Sequence, residues 1–375
     1  MIYLDNAATV RYVPVEVMRA FVGAVNRKAN ASRGAHADSV WLGLQIYRVR
    51  EQIRRLVDNP QAEVVFTKSC TEALNMAIRS LATGAHVVSS VTEHNSVLRP
   101  LHELARKGKL TFDLASPTGP HRGVTREDVA RRLRPNTRLV VLNHVSNVTG
   151  TPNDVVGVGE LCADKGIHFL VDAAQSLGHG PFSMRRIGCD MLAAPAHKGL
   201  HGLQGLGFLV FDKHVRISPL VYGGTGTDSV NVYQPMSYPE GLEAGTLDGA
   251  GVCALGAGIR WTEAHLDKIA AREKEFAVRL AEGLSAIGDL TVWRGESGIV
   301  SVWRKGLSSA MLADKLAEAG VAVRSGLHCA PLMHRFLGTT SEGILRFSAG
   351  YVNHLREVDR VLDVVSRTLA GQNLS

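Results

Sequence analysis

Short unbroken apolar runs alternate along this chain with longer stretches in which apolar residues recur every three to four positions. Seven runs have strand length: Glu63–Phe66, His86–Ser89, Leu110–Leu114, Arg138–Asn143, His168–Val171, Met191–Ala194 and Gly207–Phe211. Runs of this size without helical period suit strands buried on both faces. Helical patterns lie between most of them. Val15–Val25 and Asp38–Val57 precede the first strand, separated by a polar loop at Asn30–Arg33. Strands alternating with helices predict an α/β fold, a mostly parallel seven-stranded sheet covered by helices.

The pattern changes after Phe211. Tyr222–Gly245 is rich in Gly, Tyr, Pro and Ser, has no period, and reads as a long functional loop. Asp248–Asp267 and Glu273–Ile287 read as two helices, and Ser309–Ala319 and Leu355–Ala370 as two more. Thr291–Trp303, Val321–Val323 and Ile344–Ala349 read as strands. This tail predicts a smaller α+β domain, with the lead Ile2-Tyr3-Leu4 packed on it. The expected division is residues 15–250 for a large cofactor-binding domain, and 1–14 plus 251–375 for the small one. A pocket is expected between them.

Composition narrows the function. The 375 residues are 45% hydrophobic, enough for two cores. A net charge of +7 admits nucleic acid as a partner. The basic residues are dispersed, however, with no recognition motif or stacking aromatics, so none is expected. The densest basic run, Arg122–Arg138, reads as a solvated helix face. Five cysteines without C-x-x-C spacing argue against a disulfide framework and a zinc site, so no metal is expected. They also suit a reducing compartment. No secretory signal and no bilayer-length apolar stretch is seen, so a cytoplasmic location away from the membrane is expected.

The chemistry gathers where strands end, which is where open α/β sheets bind ligands. One run ends on Asp172, with Gln175 close behind. Another leads into His197-Lys198 and the glycines 199, 202, 205 and 207. Alone, an Asp there is equally a helix cap and a Lys equally solvated. Together they suit pyridoxal 5'-phosphate, which needs a Lys for its Schiff base and a carboxylate facing its pyridinium nitrogen. Ser69 and Glu72 form a capping box at a helix start. The same start is a ready phosphate seat, with Thr71 adding a hydroxyl. His94 either lies over a flat ring or is solvated. Asn147 is either an ordinary turn residue or a hydrogen-bond partner for a ring oxygen or a substrate carboxylate. Arg346 shares a strand with Leu345 and Phe347 but points to the other face. It is either a surface arginine or a fork for the carboxylate of an amino acid. Cys162, Cys189 and Cys253 sit in apolar surroundings and read as core. Cys329 sits in a polar loop, Val323–Pro331, where Arg324 and His328 are expected to lower its pKa.

Motifs spread over almost the whole chain carry a resemblance. They are YLDNAAT from Tyr3, NASRGAH from Asn30, TEALN from Thr71, EHNS from Glu93, HVSNVTG from His144, VDAAQ from Val171, AHKGLHG from Ala196, EAGT from Glu243, RSGLHCAP from Arg324 and RFSAGYVN from Arg346. In this order the chain resembles the cysteine desulfurases of the class V aminotransferases, fold-type I pyridoxal phosphate enzymes. It looks closer to the group with a short cysteine loop.

The resemblance implies Lys198, Cys329 and His94 as catalytic residues. Lys198 would form the Schiff base and act as general base, and His94 would stack on the ring. Asp172 would pair with the ring nitrogen and Gln175 with the ring hydroxyl. Thr71 and His197 would hold the phosphate, with Cys70 in the same cofactor-binding set and Thr246 reaching in from a second subunit of a homodimer. Asn147 and Arg346 would bind the substrate carboxylate. Cys329 would take sulfur from L-cysteine as a persulfide, leave L-alanine, and pass the sulfur to an acceptor protein. L-selenocysteine is an alternative substrate. Selenocysteine lyase, C–S lyase and aminotransferase are alternative activities on the same fold. His328 would either favour the thiolate or protonate a leaving group. Three positions depart from the family pattern. Pro195 replaces a hydroxyl residue that donates to phosphate, Leu203 replaces a usual proline, and Cys70 replaces a small residue or Thr.

Overall fold

The computed structural model describes residues 1–31 and 34–371. Ser32 and Arg33, from the expected polar loop and the NASRGAH motif, lie outside the described residues.

A seven-stranded sheet organises the molecule. Its order is Glu63–Thr67, Gly207–Phe211, Met191–Pro195, His168–Asp172, Thr137–Asn143, His86–Ser90 and Thr111–Ala115. Gly207–Phe211 runs antiparallel to both neighbours, and the five strands beyond it are mutually parallel. Side chains alternate between two buried faces. Val140 and Leu142 enter one core, and Leu139 and Val141 the other. Fully burying such a side chain contributes about 1.5–3 kcal/mol. That is why these strands read as continuous apolar runs.

A 38-residue helix, Gly249–Ala286, links this core to a second one. Val252, Leu255 and Ile259 belong to the sheet core. Phe276, Leu280 and Leu284 belong to a core shared with Ile2, Leu4, Val300, Phe347 and Val361. The break expected between Asp267 and Glu273 does not occur. The intervening Lys-Ile-Ala-Ala-Arg contains no helix breaker, and Ile269 is buried.

Other boundaries also differ from expectation. Thr291–Trp303 is two antiparallel strands, Thr291–Arg294 and Ile299–Trp303, in a three-stranded sheet with Leu345–Ser348. Arg122–Arg138 is not one helix face. It holds the short helix Arg126–Ala130, capped by Thr125, and the start of the strand at Thr137. Pro135 disfavours helix at the residue before it. The helix Pro331–Leu337 was not apparent in the pattern. Proline at its start and the left-handed Gly338 at its end delimit it.

The N-terminal segment reaches the C-terminal unit. Ile2–Tyr3 pairs in parallel with Val321–Ala322, and Asn6 Nδ2 donates to Ser348 O at 2.9 Å. Among the described residues no helix is long and apolar enough to cross a membrane.

Candidate active site

A cavity of about 230 Å³ opens where the parallel strands end and the C-terminal strand Leu345–Ser348 comes alongside. Cys70, Thr71, His94, Asn147, Asp172, Gln175, His197, Lys198 and Arg346 all line it. Thr246 and Cys329 do not.

Asp172 is the last residue of its strand, and its main-chain oxygen accepts from His144 N–H at 2.9 Å. Its side-chain Oδ1 accepts from Ala174 N–H at 2.9 Å and from the Cys70 thiol at 3.8 Å. Both protein bonds fall on one oxygen, which leaves Oδ2 to face the cavity. Burial pushes this carboxyl up, against the Ala174 N–H and the Lys198 charge. Lys198 follows the neighbouring strand Met191–Pro195. Burial pushes its ammonium down, toward the neutral amine, and Asp172 opposes the shift. Gln175 is held by a bond from its Nε2 to Ala7 O at 2.9 Å.

His94 caps the helix Asn95–Arg106 by accepting from Ser96 N–H at Nδ1 over 3.1 Å. Its reading as a freely solvated loop histidine therefore fails. Burial, then the charges of Lys198 and Arg324, press it down to about 4, so the ring is neutral near pH 7. His197 is likewise pressed to about 4 by burial, and its Nδ1 lies 3.1 Å from Thr9 Oγ1.

The helix Cys70–Leu81 points its N-terminus at the cavity. Ser69 Oγ accepts from Glu72 N–H at 3.2 Å, as expected of a cap. The reciprocal half of the expected box is displaced, because Glu72 Oε2 accepts instead from Lys68 N–H at 2.7 Å. The strand starting at Gly207 passes close behind. A Cβ there would lie 2.5 Å from Cys70 N, so only glycine fits. Pro195 also lines the cavity and brings no N–H donor.

Arg346 is 1% exposed and so is no surface arginine. Its Nη1 donates to Asn147 O and its Nη2 to Asp5 Oδ1, each at 2.9 Å, while Nε has no protein partner. Asp5 escaped sequence reasoning because its partner is 341 residues away. The only signal was a lone acid in the apolar lead.

The cysteine loop sits at the rim. Arg324 and His328 line the cavity, whereas Cys329 is exposed. His328 and Cys329 both have left-handed backbone, with φ of 49° and 56°. Each such non-glycine residue costs about 1–2 kcal/mol and must be held by its surroundings. Two bonds do this. Asn147 Nδ2 donates to His328 O at 2.8 Å, and Asn95 N–H donates to Cys329 O at 2.7 Å. The expectation that His328 supplies positive charge to the thiol is corrected. Burial, then the Arg346 charge, pushes its pKa well down, so the ring is neutral.

Glu93 opens the EHNS motif. It is fully buried, and its Oε1 accepts from Ser90 Oγ at 2.8 Å and Asn143 N–H at 2.9 Å. Burial pushes it up to about 8. Thr246 is exposed, between Gly245 and Leu247, which line a separate cavity of about 510 Å³. Cys162, Cys189 and Cys253 are buried, as core residues would be.

The donor set fits pyridoxal phosphate. The helix N-terminus with Thr71 offers N–H and hydroxyl groups to a phosphate. Asp172 offers a carboxylate oxygen to a ring nitrogen, and Lys198 an amine to an aldehyde. The donor lost at Pro195 is the one mismatch.

Such a sheet with this lysine–aspartate–arginine set is the type of site that pyridoxal phosphate enzymes use. The family model described as "Aminotransferase class-V" matches residues 2–361. A probable cysteine desulfurase of Methanothermobacter thermautotrophicus is 34% identical, over 99% of this chain and 95% of its own. One from Pyrococcus abyssi is 33% identical, over 97% of this chain and 93% of its own. The apo structure of a cysteine desulfurase from Thermococcus onnurineus superposes with a TM-score of 0.91 at 30% identity, covering 99% of this chain and 95% of that one. The chain belongs to the cysteine desulfurase family of the class-V aminotransferases.

Proposed function

We propose that the protein uses pyridoxal phosphate to remove sulfur from L-cysteine, releasing L-alanine and carrying the sulfur as a persulfide on Cys329 to an acceptor protein. The observation that carries this reading is the shared cavity. Lys198, Asp172 and Arg346 line it together with Arg324 and His328 of the loop that bears Cys329.

When bound, pyridoxal phosphate supplies an aldehyde for the amine of Lys198 and a ring that withdraws electrons. The chain's own residues do the rest. Arg346 holds the substrate carboxylate with its remaining N–H groups. Asp172 would offer Oδ2 to the ring nitrogen, and neutral His94 would lie against the ring without competing for charge. Lys198, its basicity lowered by burial, takes the proton from the substrate's α-carbon. The Cys329 thiolate attacks the substrate sulfur. A sulfur–sulfur bond forms, the carbon–sulfur bond breaks, and its electron pair stays with the carbon skeleton, which takes up a proton at the β-carbon and regains its α-proton from Lys198 to become alanine. Cys329 must swing inward from the rim to do this.

Two features support a homodimer. Val40, Leu44 and Tyr47 form an exposed apolar row at helical spacing on Ala37–Leu56. Exposed Thr246 faces no phosphate seat in its own subunit, which suits a reach into a neighbour's. All five cysteines are free, which supports a reducing, cytoplasmic setting.

The test is a product assay with L-cysteine, run in parallel with L-selenocysteine, on the cofactor-loaded protein. Alanine matching the sulfur released supports the proposal. Pyruvate and ammonia in its place would make the protein a C–S lyase and refute it.

A further inference from the structure

We propose that Asn147 is a positioning residue for the reacting thiol, its side-chain amide coupling the substrate-carboxylate seat to the cysteine loop. This goes beyond carboxylate binding, and it rests on the proposed function in taking Arg346 as the carboxylate seat and Cys329 as the thiol that reacts.

The argument starts from what Asn147 touches. Its Nδ2 donates to the main-chain oxygen of His328 at 2.8 Å, so its side chain grips the residue immediately before Cys329. Its main-chain oxygen accepts from Arg346 Nη1 at 2.9 Å, so its backbone abuts the one fully buried guanidinium of the cavity wall. One residue therefore contacts both the cation that attracts a carboxylate and the loop that carries the nucleophile. An amide nitrogen has two hydrogens, and His328 O uses one. The amide oxygen, Oδ1, is buried without a partner. Among the described residues, protein contacts therefore hold the Asn147 amide by a single hydrogen bond.

A carboxylate seated on Arg346 lies beside this amide. It accepts the second Nδ2 hydrogen, fixes the amide plane and tightens the grip on His328 O. The loop needs such a grip. His328 and Cys329 both hold left-handed backbone, and among the described residues only the bonds from Asn147 and from Asn95 N–H secure their carbonyls. A bound amino acid thus orders the loop through its carboxylate, and Cys329 is aimed when a substrate is present to receive it. An amine without a carboxylate leaves the loop loose.

Amide hydrogen exchange on the full-length, cofactor-loaded protein tests this. Gly326 N–H donates to Ile344 O at 3.1 Å and Ala330 N–H to Leu327 O at 2.9 Å, so these amides report loop order. The probes are L-alanine, which has the carboxylate but no sulfur to transfer, and L-alaninol, which has the amine but no carboxylate. L-Alanine is expected to slow exchange at Gly326 and Ala330 about threefold or more, the effect of securing one hydrogen bond. L-Alaninol is expected to leave it unchanged, and Asn147→Ala to abolish the response to L-alanine. Equal protection by both probes, or an intact response in the variant, overturns the proposal. The two wild-type arms decide the question even if the variant does not fold. The readout needs no turnover, so a protein that makes no alanine from cysteine could still show the coupling, and the two readings fail separately.

Discussion

Arg346 donates from Nη2 to Asp5 Oδ1 at 2.9 Å, an ion pair between the C-terminal strand and the N-terminal segment in which the guanidinium is wholly buried. Removing one partner of such a pair leaves an uncompensated buried charge. Asp5→Ala is therefore expected to lower stability by roughly 3 kcal/mol. A ligand carboxylate can replace the missing countercharge. L-Alanine should then raise the melting temperature of the variant more than that of the wild type. Equal increments in a thermal melt would show that Asp5 and the ligand do not share Arg346.

Glu93 sets a pH dependence of opposite sign to that of the histidines. Its folded pKa is raised to about 8. Between its unfolded value and 8 the folded state binds more protons, so this group's contribution to stability is lost as pH rises. Glu93→Gln keeps an acceptor for Ser90 and Asn143 and cannot ionise. The variant should melt higher than wild type at pH 8, with the difference shrinking toward pH 5. A constant difference would contradict the buried neutral acid.

His94, His144 and His197 are each pressed to about 4 by burial. Below their unfolded value near 6.5 the unfolded state takes up protons that the folded state refuses. The histidines' contribution to stability should be constant above pH 6.5 and fall steadily toward pH 4. Denaturant midpoints measured across this range check it, and a flat profile would mean the rings protonate freely in the folded protein.

Gly207→Ala brings a Cβ to 2.5 Å from Cys70 N, at the N-terminus proposed to hold phosphate. Overpacking of this kind costs about 1–3 kcal/mol. Because the strain falls on the cradle, cofactor affinity should fall as well. Titration of the apo variant with pyridoxal phosphate, followed by absorbance, measures it. Unchanged affinity would place the phosphate elsewhere.

The sheet was legible because most of its strands are buried on both faces, so Val-, Leu- and Phe-rich runs stand out without context. Asp172 and Lys198 were legible for a related reason, as polar residues that abruptly end such runs. What escaped depends on contacts distant in sequence. Nothing near Asp5 announces Arg346. Nothing in the loop tells that His328 is buried and neutral while Cys329, one residue on, is exposed. The continuity of Gly249–Ala286 was missed because a change of core, from Ile259 to Phe276, looks in sequence like a change of helix.

The central claim is that Cys329 receives the sulfur. A single turnover with L-cysteine carrying radiolabelled sulfur, followed by proteolysis without reductant, tests it most directly. The label should reside on the peptide that contains Cys329 and be absent from the Cys329→Ala variant, with sulfide release lost in parallel. Label on another cysteine, or undiminished sulfur release from Cys329→Ala, would contradict the account.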